Sequence, residues 1–480
     1  MPENAYTDGL APHPRGREVV YAFEKIAAIS FGGLALYLAA TEPLGWLPFV
    51  LGALAAFVML FVNWPYGAFL ELLIAASIPR WIIPIHSWKA KPEHFVVAAV
   101  GLVALFRIIA RKQEWKSLGK VEFLLLALLA MNFITSIMVS PNRVSSLRWV
   151  LLLTLAVSPF FLLLQIIRTE EQLDKLMVLW LWVGAFGALF GIFCFLSHLA
   201  FRTEFGVTIV DFLGFMQEVH GSLWEPNIFG SYCTCFAVMF LFYFLDGAPK
   251  NPWHLAGFFL TTVGGLLSLA RQGWVCLISV GTLVLLYNLR RRTIRLKHLA
   301  PILASVLITL VVGVMTMADL SERIAGLTGE AAEDPTVVRR VGMLALAMQD
   351  IVQHPVVGLG TGSLGLLYIA DSDSTYEGVD KAWLGSLFVG IMHDTGLIGI
   401  GIFIWFTVEL GRRAWRVLAA PVRAPARTAV GALSAGVLVF LIAYQFTDAS
   451  TFALTWVQFG LMGVALRLAE VRSGPNLASI

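Results

Sequence analysis

The sequence predicts an all-α membrane protein: a polytopic bundle of about 12–14 transmembrane helices with one long outward, periplasmic loop containing an amphipathic helix. Three observations carry that expectation. Of 480 residues, 58% are apolar and 14% charged, where soluble domains average about 45–50% and about 25%, and the mean hydropathy is +0.79. The apolar residues fall into runs close to the ~20 residues that a hydrocarbon core of ~30 Å requires. The charges collect in blocks between those runs. With a net charge of only +3, the expected partner is the lipid bilayer and not nucleic acid.

Residues 1–19 are polar, with Pro12, Pro14 and Gly16, and read as a cytoplasmic tail. The run after them ends at Thr41-Glu42-Pro43 without a small-residue cleavage site, so it is expected to remain as the first helix. Spans follow at 20–40, 44–63, 66–85, 94–110, 121–139, 147–167, 176–198, 226–245, 255–270, 272–289, 299–318, 386–411, 428–447 and 451–468. The third contains Pro79, Arg80 and Pro84 and reads as a broken or re-entrant helix held by its neighbours. The domain plan is therefore helices with short loops over 20–318, an outward loop over 319–385, C-terminal helices over 386–468, and a cytoplasmic tail over 469–480. Cys194, Cys233, Cys235 and Cys276 lie inside apolar runs, where they read as small hydrophobes.

Lysine and arginine in short loops are retained in the cytoplasm, and three basic segments fall on one side of this plan. They are Arg107 to Lys120, Arg290 to Lys297, and Arg412 to Arg427. The opposite side carries the stretch 319–385, in which Asp and Glu outnumber Lys and Arg. An even number of spans then leaves both termini in the cytoplasm and the long loop outside.

Candidate chemistry concentrates on that outer side. In the loop, Asp334 is a candidate N-cap, Pro335 suits the first helical position, and Val337, Val341, Leu344, Met348 and Ile351 recur at helical spacing, so a helix is expected over 335–354. Too short and polar to span, it is expected on the membrane surface or over a cavity mouth. Its first-turn cations Arg339 and Arg340 oppose the helix dipole, which suits either a snorkelling pair or a nearby anion. Arg271 stands between two apolar runs at their outer ends, where a guanidinium faces a phosphate or pairs with an acid such as Glu225. Glu225 and Asn227, beside the start of the span 226–245, read as caps or as a carboxylate that takes a proton from an acceptor hydroxyl. Gly358-Leu-Gly360-Thr-Gly362 lacks the lysine of a P-loop but offers a turn whose N–H groups suit an anion. His393-Asp394 lies in the first turns of the span 386–411, as structural pair or as base. No metal site and no cofactor are expected; Asp371 and Asp373 read as a solvated acidic loop.

Four elements together resemble the O-antigen ligase and O-antigen polymerase superfamily of bacterial inner membranes. They are Glu225-Pro226-Asn227, Ser268-x-x-Arg271-x-Gly273-Trp274, the stretch from Arg340 through His354-Pro355-x-x-Gly358-x-Gly360-x-Gly362, and His393-Asp394-Thr395-Gly396-Leu397-Ile398-Gly399. The resemblance covers roughly residues 120–415, and the order of the four is more specific than any one. It implies a metal-independent, inverting glycosyltransferase that moves a glycan from undecaprenyl diphosphate to an acceptor hydroxyl, on an acceptor glycan or glycolipid, at the periplasmic side. Arg271 and Arg340 would contact the donor diphosphate, with His393 as base and Glu225 or Asp394 as the alternative bases. Arg339, Asn227, Arg148, Gly360 and Asp394 are the accompanying substrate-binding candidates. The family's ligases carry a histidine near the position of Gly385 or Ser386, and this chain has none there. The form found here looks more like the repeat-unit polymerases of O-antigen or exopolysaccharide. A ligase acting on lipid A core is the alternative. A lipid-linked glycan flippase, which would need charges along mid-span, fits less well, since the mid-spans are nearly free of charge, with Glu71 and Arg80 of the third span the main exceptions.

Overall fold

The computed structural model describes residues 66–77, 83–85, 88–90, 92–109, 114–210, 216–223, 225–247, 250–291, 293, 335–367, 384–420, 425–447 and 449–473. The chain forms two compact units, 1–71 and 72–480. Of the first, only 66–71 are described, as the opening turns of helix α1 (Tyr66–Ala76). The expected spans at 20–40, 44–63 and 299–318, the cap Asp334 and the acidic Asp371 and Asp373 lie outside the described residues.

The described part of the second unit is helical, and among the described residues eight helices are long and apolar enough to cross a membrane. In chain order it comprises β1 (Ile83–Ile85), β2 (Trp88–Ala90), α2 (Pro92–Ile109), α3 (Lys120–Met138), α4 (Arg143–Ile166) and α5 (Glu170–Phe201). Then come β3 (Val207–Val210), β4 (Met216–Val219), α6 (Pro226–Asp246), α7 (Pro252–Leu267) and α8 (Arg271–Arg290). Last are α9 (Pro335–Gln353), α10 (Ser363–Leu367), α11 (Leu387–Ala419), α12 (Pro425–Ala443) and α13 (Ala453–Ser473).

The break expected in the third run is present. The run 66–85 is not one span: the helix stops at Ala76, and Ile83–Ile85 is a strand paired antiparallel with Trp88–Ala90, Ile83 opposite Ala90. Pro79 and Pro84 lack the N–H that a continuing helix donates, and each ring would clash with the carbonyl four residues back. A second antiparallel pair follows α5, with Val207 opposite Val219, after Arg202 ends that helix in the left-handed conformation.

Helix α6 forms the centre. It is buried along almost its whole length because its aromatic side chains enter grooves that glycines leave on its neighbours. Phe229, Tyr232 and Phe236, at spacings of three and four, oppose Gly191, Gly187 and Gly184 of α5. A Cβ added at those glycines would lie 2.3, 2.6 and 2.2 Å from the three rings or their hydroxyl. Phe240 meets Gly257 of α7 and Phe242 meets Gly431 of α12 in the same way. Around this centre Gln458 of α13 accepts from the Trp180 indole at 2.8 Å and donates to the Leu433 carbonyl at 3.1 Å, so one buried amide joins α5, α12 and α13.

Ion pairs mark one end of the bundle. Lys120, Arg412, Arg413 and Arg467 gather at one end, where Glu409 accepts from Arg412 at 2.6 Å, Glu470 from Arg413 at 2.5 Å and the buried Glu122 from Arg467 at 2.7 Å. At the opposite end are the first turns of α6, α8 and α11, with α9 packed on α11.

Candidate functional site

Two glycine-rich motifs, far apart in sequence, build one seam at that opposite end. Helix α11 is interrupted at Gly396, whose φ of 65° and ψ of −164° are non-helical. The interruption frees backbone groups that a helix would consume. The N–H of Leu397 donates to Pro355 O at 2.8 Å and that of Ile398 to Val356 O at 3.4 Å. In return the carbonyls of His393 and Asp394 accept from the N–H groups of Leu359 and Gly360, both at 2.9 Å. Broken backbone in a membrane bundle is tolerated where protein satisfies it, and here the loop after α9 supplies every one of those partners. Both sides need glycine: a Cβ on Gly358 would lie 2.5 Å from His393 O, and one on Gly396 2.3 Å from the Val356 carbonyl carbon.

His393 sits on this seam, 1% exposed. Its Nε2 is 3.1 Å from Asp350 Oδ2 of α9 and its Nδ1 is 3.3 Å from Asp394 Oδ1. Only the imidazolium can donate to both carboxylates at once. The side chain therefore ties α9 to α11, and no face of it meets solvent from which an acceptor hydroxyl arrives. Asp394 is equally occupied, its Oδ2 accepting from Gly362 N at 3.0 Å.

The glycine turn is consumed as well. Thr361 N donates to Ser136 Oγ at 3.1 Å and Ser363 N to Gly360 O at 3.2 Å. Together with the bonds of Leu359, Gly360 and Gly362, this leaves the turn's N–H groups pointing into protein. The expectation that Gly360 presents free N–H groups to an anion is corrected accordingly. Beneath the turn lies a buried polar cluster: Thr361 Oγ1 donates to Asn132 Oδ1 at 2.8 Å, and Ser146 Oγ lies 2.9 Å from Ser136 Oγ and 2.7 Å from Thr361 O. Thr361→Val keeps the shape but strips Asn132 of its donor. Leaving such a buried acceptor unpaired costs about 1–3 kcal/mol. The expected result is a lowered unfolding midpoint in detergent, while Ser at 361 retains it.

A second group of polar residues surrounds the start of α6. Glu225 occupies its N-cap position with extended backbone but makes no capping bond. Its Oε1 accepts from Asn227 Nδ2 at 2.6 Å and its Oε2 from Thr447 Oγ1 at 3.2 Å. Asn227 in turn accepts from Gln272 Nε2 at 2.8 Å, linking α6 to the first turn of α8. Arg340 reaches over from α9: Nη1 donates to Phe446 O at 3.1 Å, and Nη2 stands 3.9 Å from Glu225 Oε1. At that distance, with the side chains 41% and 29% exposed, the pair contributes at most about 1 kcal/mol, so Arg340 is held only loosely.

Arg271 is the first residue of α8, next to Gln272, and is exposed. Among the described residues it makes no hydrogen bond and no ion pair; the acid Glu225 faces Arg340 instead. Arg148 is half-buried on α4, next to Trp149, against whose ring Gly362 packs. The backbone of Arg339 lies in α9, and its side chain is outside the described set. No cluster of metal-ligating side chains occurs among the described residues.

Four participants escape the sequence motifs. Asp350 lies one turn before His354, at a polar position beside Ala347 and Ile351, the residues α9 buries. Gln272 is flanked by the more conspicuous Arg271 and Gly273. Thr361 hides between glycines, and Thr447 lies at the end of an apolar span. Only Asp350 carried a readable signal, an acid within helical reach of the packed stripe.

No protein-family model matches the chain, and no curated protein matches it.

Proposed function

We propose that the protein is a membrane glycosyltransferase that moves a glycan from an undecaprenyl-diphosphate donor to an acceptor hydroxyl, and that it polymerises polysaccharide repeat units. The reading is carried by one observation: Arg340 and Glu225 meet at one end of the bundle, and Gln272, bonded to Asn227, is the chain neighbour of Arg271, which makes no bond among the described residues. A carboxylate with two loosely held guanidinium groups suits transfer from a diphosphate. The acceptor oxygen attacks the anomeric carbon and the bond from that carbon to the phosphate oxygen breaks. The acceptor proton passes to Glu225, and the electron pair leaves on the diphosphate. Arg271 and Arg340 stabilise that charge as it develops, and their planar forks bind phosphate oxygens bidentately. Asn227 and Thr447 hold the two carboxylate oxygens of Glu225 in place. The base's role goes to Glu225, since His393 is enclosed. In this reading the end bearing Lys120, Arg412, Arg413 and Arg467 faces the cytoplasm of a bacterial inner membrane, and the Glu225 end faces the periplasm.

The test is incubation of purified protein in detergent with an undecaprenyl-diphosphate-linked repeat unit as both donor and acceptor, followed by resolution of the products on a gel. A ladder of lengthened glycan is expected, absent in Arg340→Ala and present in Arg339→Ala. Transfer only after addition of lipid A core would make the protein a ligase, and no transfer with either acceptor would end the proposal.

A further inference from the structure

The basic end of the bundle treats its arginines unequally. Arg412, Arg413 and Arg467 each face a glutamate, and Lys120 shares Glu409 with Arg412. A second corner, where the ends of α8 and α11 meet the start of α12, has arginines that pair with no acid among the described residues. Arg427, in the first turn of α12, is 5% exposed. Its Nη2 donates to Tyr287 Oη at 2.7 Å, and its Nε has no partner. Arg291 donates to the carbonyl oxygens of Leu418 and Ala420 at the end of α11, lies over the Tyr287 ring, and pairs with no carboxylate among the described residues. Arg416, on the last turn of α11, has a buried Nε without a partner. The acid bonded in this corner, Asp246, accepts from Thr428 Oγ1 at 2.7 Å and makes no ion pair with Arg427.

Such an arrangement is costly by itself. A buried guanidinium without counter-charge carries a desolvation penalty that neutral oxygens repay only in part. The position adds to it, because a cation in the first turn opposes the helix dipole of α12. Arg291 has a structural role on the last carbonyls of α11. Arg427 has no comparable one, since a tyrosine hydroxyl alone does not offset a buried charge. An anion would offset that charge, and the fork of a guanidinium is shaped for phosphate oxygens. At the end of membrane-crossing helices, phosphate comes from lipid headgroups or from a soluble phosphate ester.

We propose that Arg427, with Arg291 beside it, forms a binding site for a phosphate group, at the end of the bundle opposite Glu225. The inference is independent of the proposed transferase reaction, because it uses none of that site's residues and its readout is stability.

The experiment follows thermal unfolding of the full chain in a phosphate-free maltoside detergent. One titration uses sodium phosphate against sodium chloride at equal ionic strength, and another uses phosphatidylglycerol against uncharged diacylglycerol. The wild type is expected to gain several degrees, saturably, with phosphatidylglycerol alone if the source is a headgroup, and with inorganic phosphate too if it is a soluble ester. Arg427→Met is expected to lose that gain while its midpoint without ligand equals or exceeds that of the wild type, because the uncompensated charge is gone. If Arg427→Met does not fold, Tyr287→Phe, which removes the hydroxyl that accepts from Arg427 and donates to Leu418 O, takes its place and the gain must weaken. An equal gain in wild type and variant overturns the site. So does the absence of any gain in the wild type, which would leave Asp246 to neutralise Arg427 across the corner.

Discussion

Arg271→Lys is expected to lower the rate of donor turnover about 100-fold or more, the scale on which removing one preorganised donor acts at a developing oxyanion, while membrane yield and unfolding midpoint stay at wild-type values. The second half follows from exposure: Arg271 makes no bond among the described residues, so the folded state loses nothing with it. The first half follows from shape. Lysine keeps the charge but presents a point of three rotatable donors in place of a rigid planar fork, and cannot hold two phosphate oxygens in plane. The loss should fall on kcat more than on KM, because in the proposed transfer charge on the diphosphate grows only as the bond to the sugar breaks. The measurement is steady-state transfer on reconstituted protein, with size-exclusion profile and thermal midpoint recorded for both proteins. Retained kcat would remove Arg271 from the reacting diphosphate.

Much of the framework around Arg271 was legible in the sequence because lipid enforces a simple code. The runs 121–139, 226–245 and 272–289 appear as α3, α6 and α8 with ends moved by a residue or two, since any apolar stretch of that length has one good option in a bilayer. The helix expected over 335–354 is α9, Pro335–Gln353, for the same local reasons of spacing and an N-terminal proline. The strand pairs were not legible. Ile83–Ile85 and Val207–Val210 are too short for a period of two to stand out from an apolar background.

The site divides along a different line. Residue types and motif order brought Glu225, Asn227, Arg271 and Arg340 forward, but not their pairing, which depends on how α6, α8 and α9 pack. His393 and Gly360 were candidates because histidine and glycine turns carry chemistry in other settings. Here tertiary partners consume them, Asp350 and Asp394 for the one, Ser136 and the α11 backbone for the other. Spacing along a chain cannot reveal a partner that arrives from another helix.

Gly396→Ala is expected to be the most destabilising single-atom change at this end, by about 3 kcal/mol or more, combining a backbone region open essentially only to glycine with a clash. The φ of 65° and ψ of −164° place Gly396 in that region. The new methyl would also lie 2.3 Å from the Val356 carbonyl carbon and 2.5 Å from Val357 N, backbone atoms that cannot swing aside as a side chain can. Relief requires the loop 355–360 to lift from α11, which opens the bonds of Leu397, Leu359 and Gly360 and releases the start of α11 from α9. Since α9 carries Arg340, the same change should cost transfer activity, although Gly396 touches none of the Glu225 group. Gly358→Ala strains the other side of the same seam, its methyl 2.5 Å from His393 O. The two changes should therefore be strongly non-additive, as expected for residues that share one set of contacts. Once the seam is open, the second substitution finds nothing left to break, and the double variant should unfold close to the worse of the two singles. Thermal midpoints of the four proteins measure this directly. Additive losses would mean that the loop and the helix break are held independently, and that the glycines serve two separate turns.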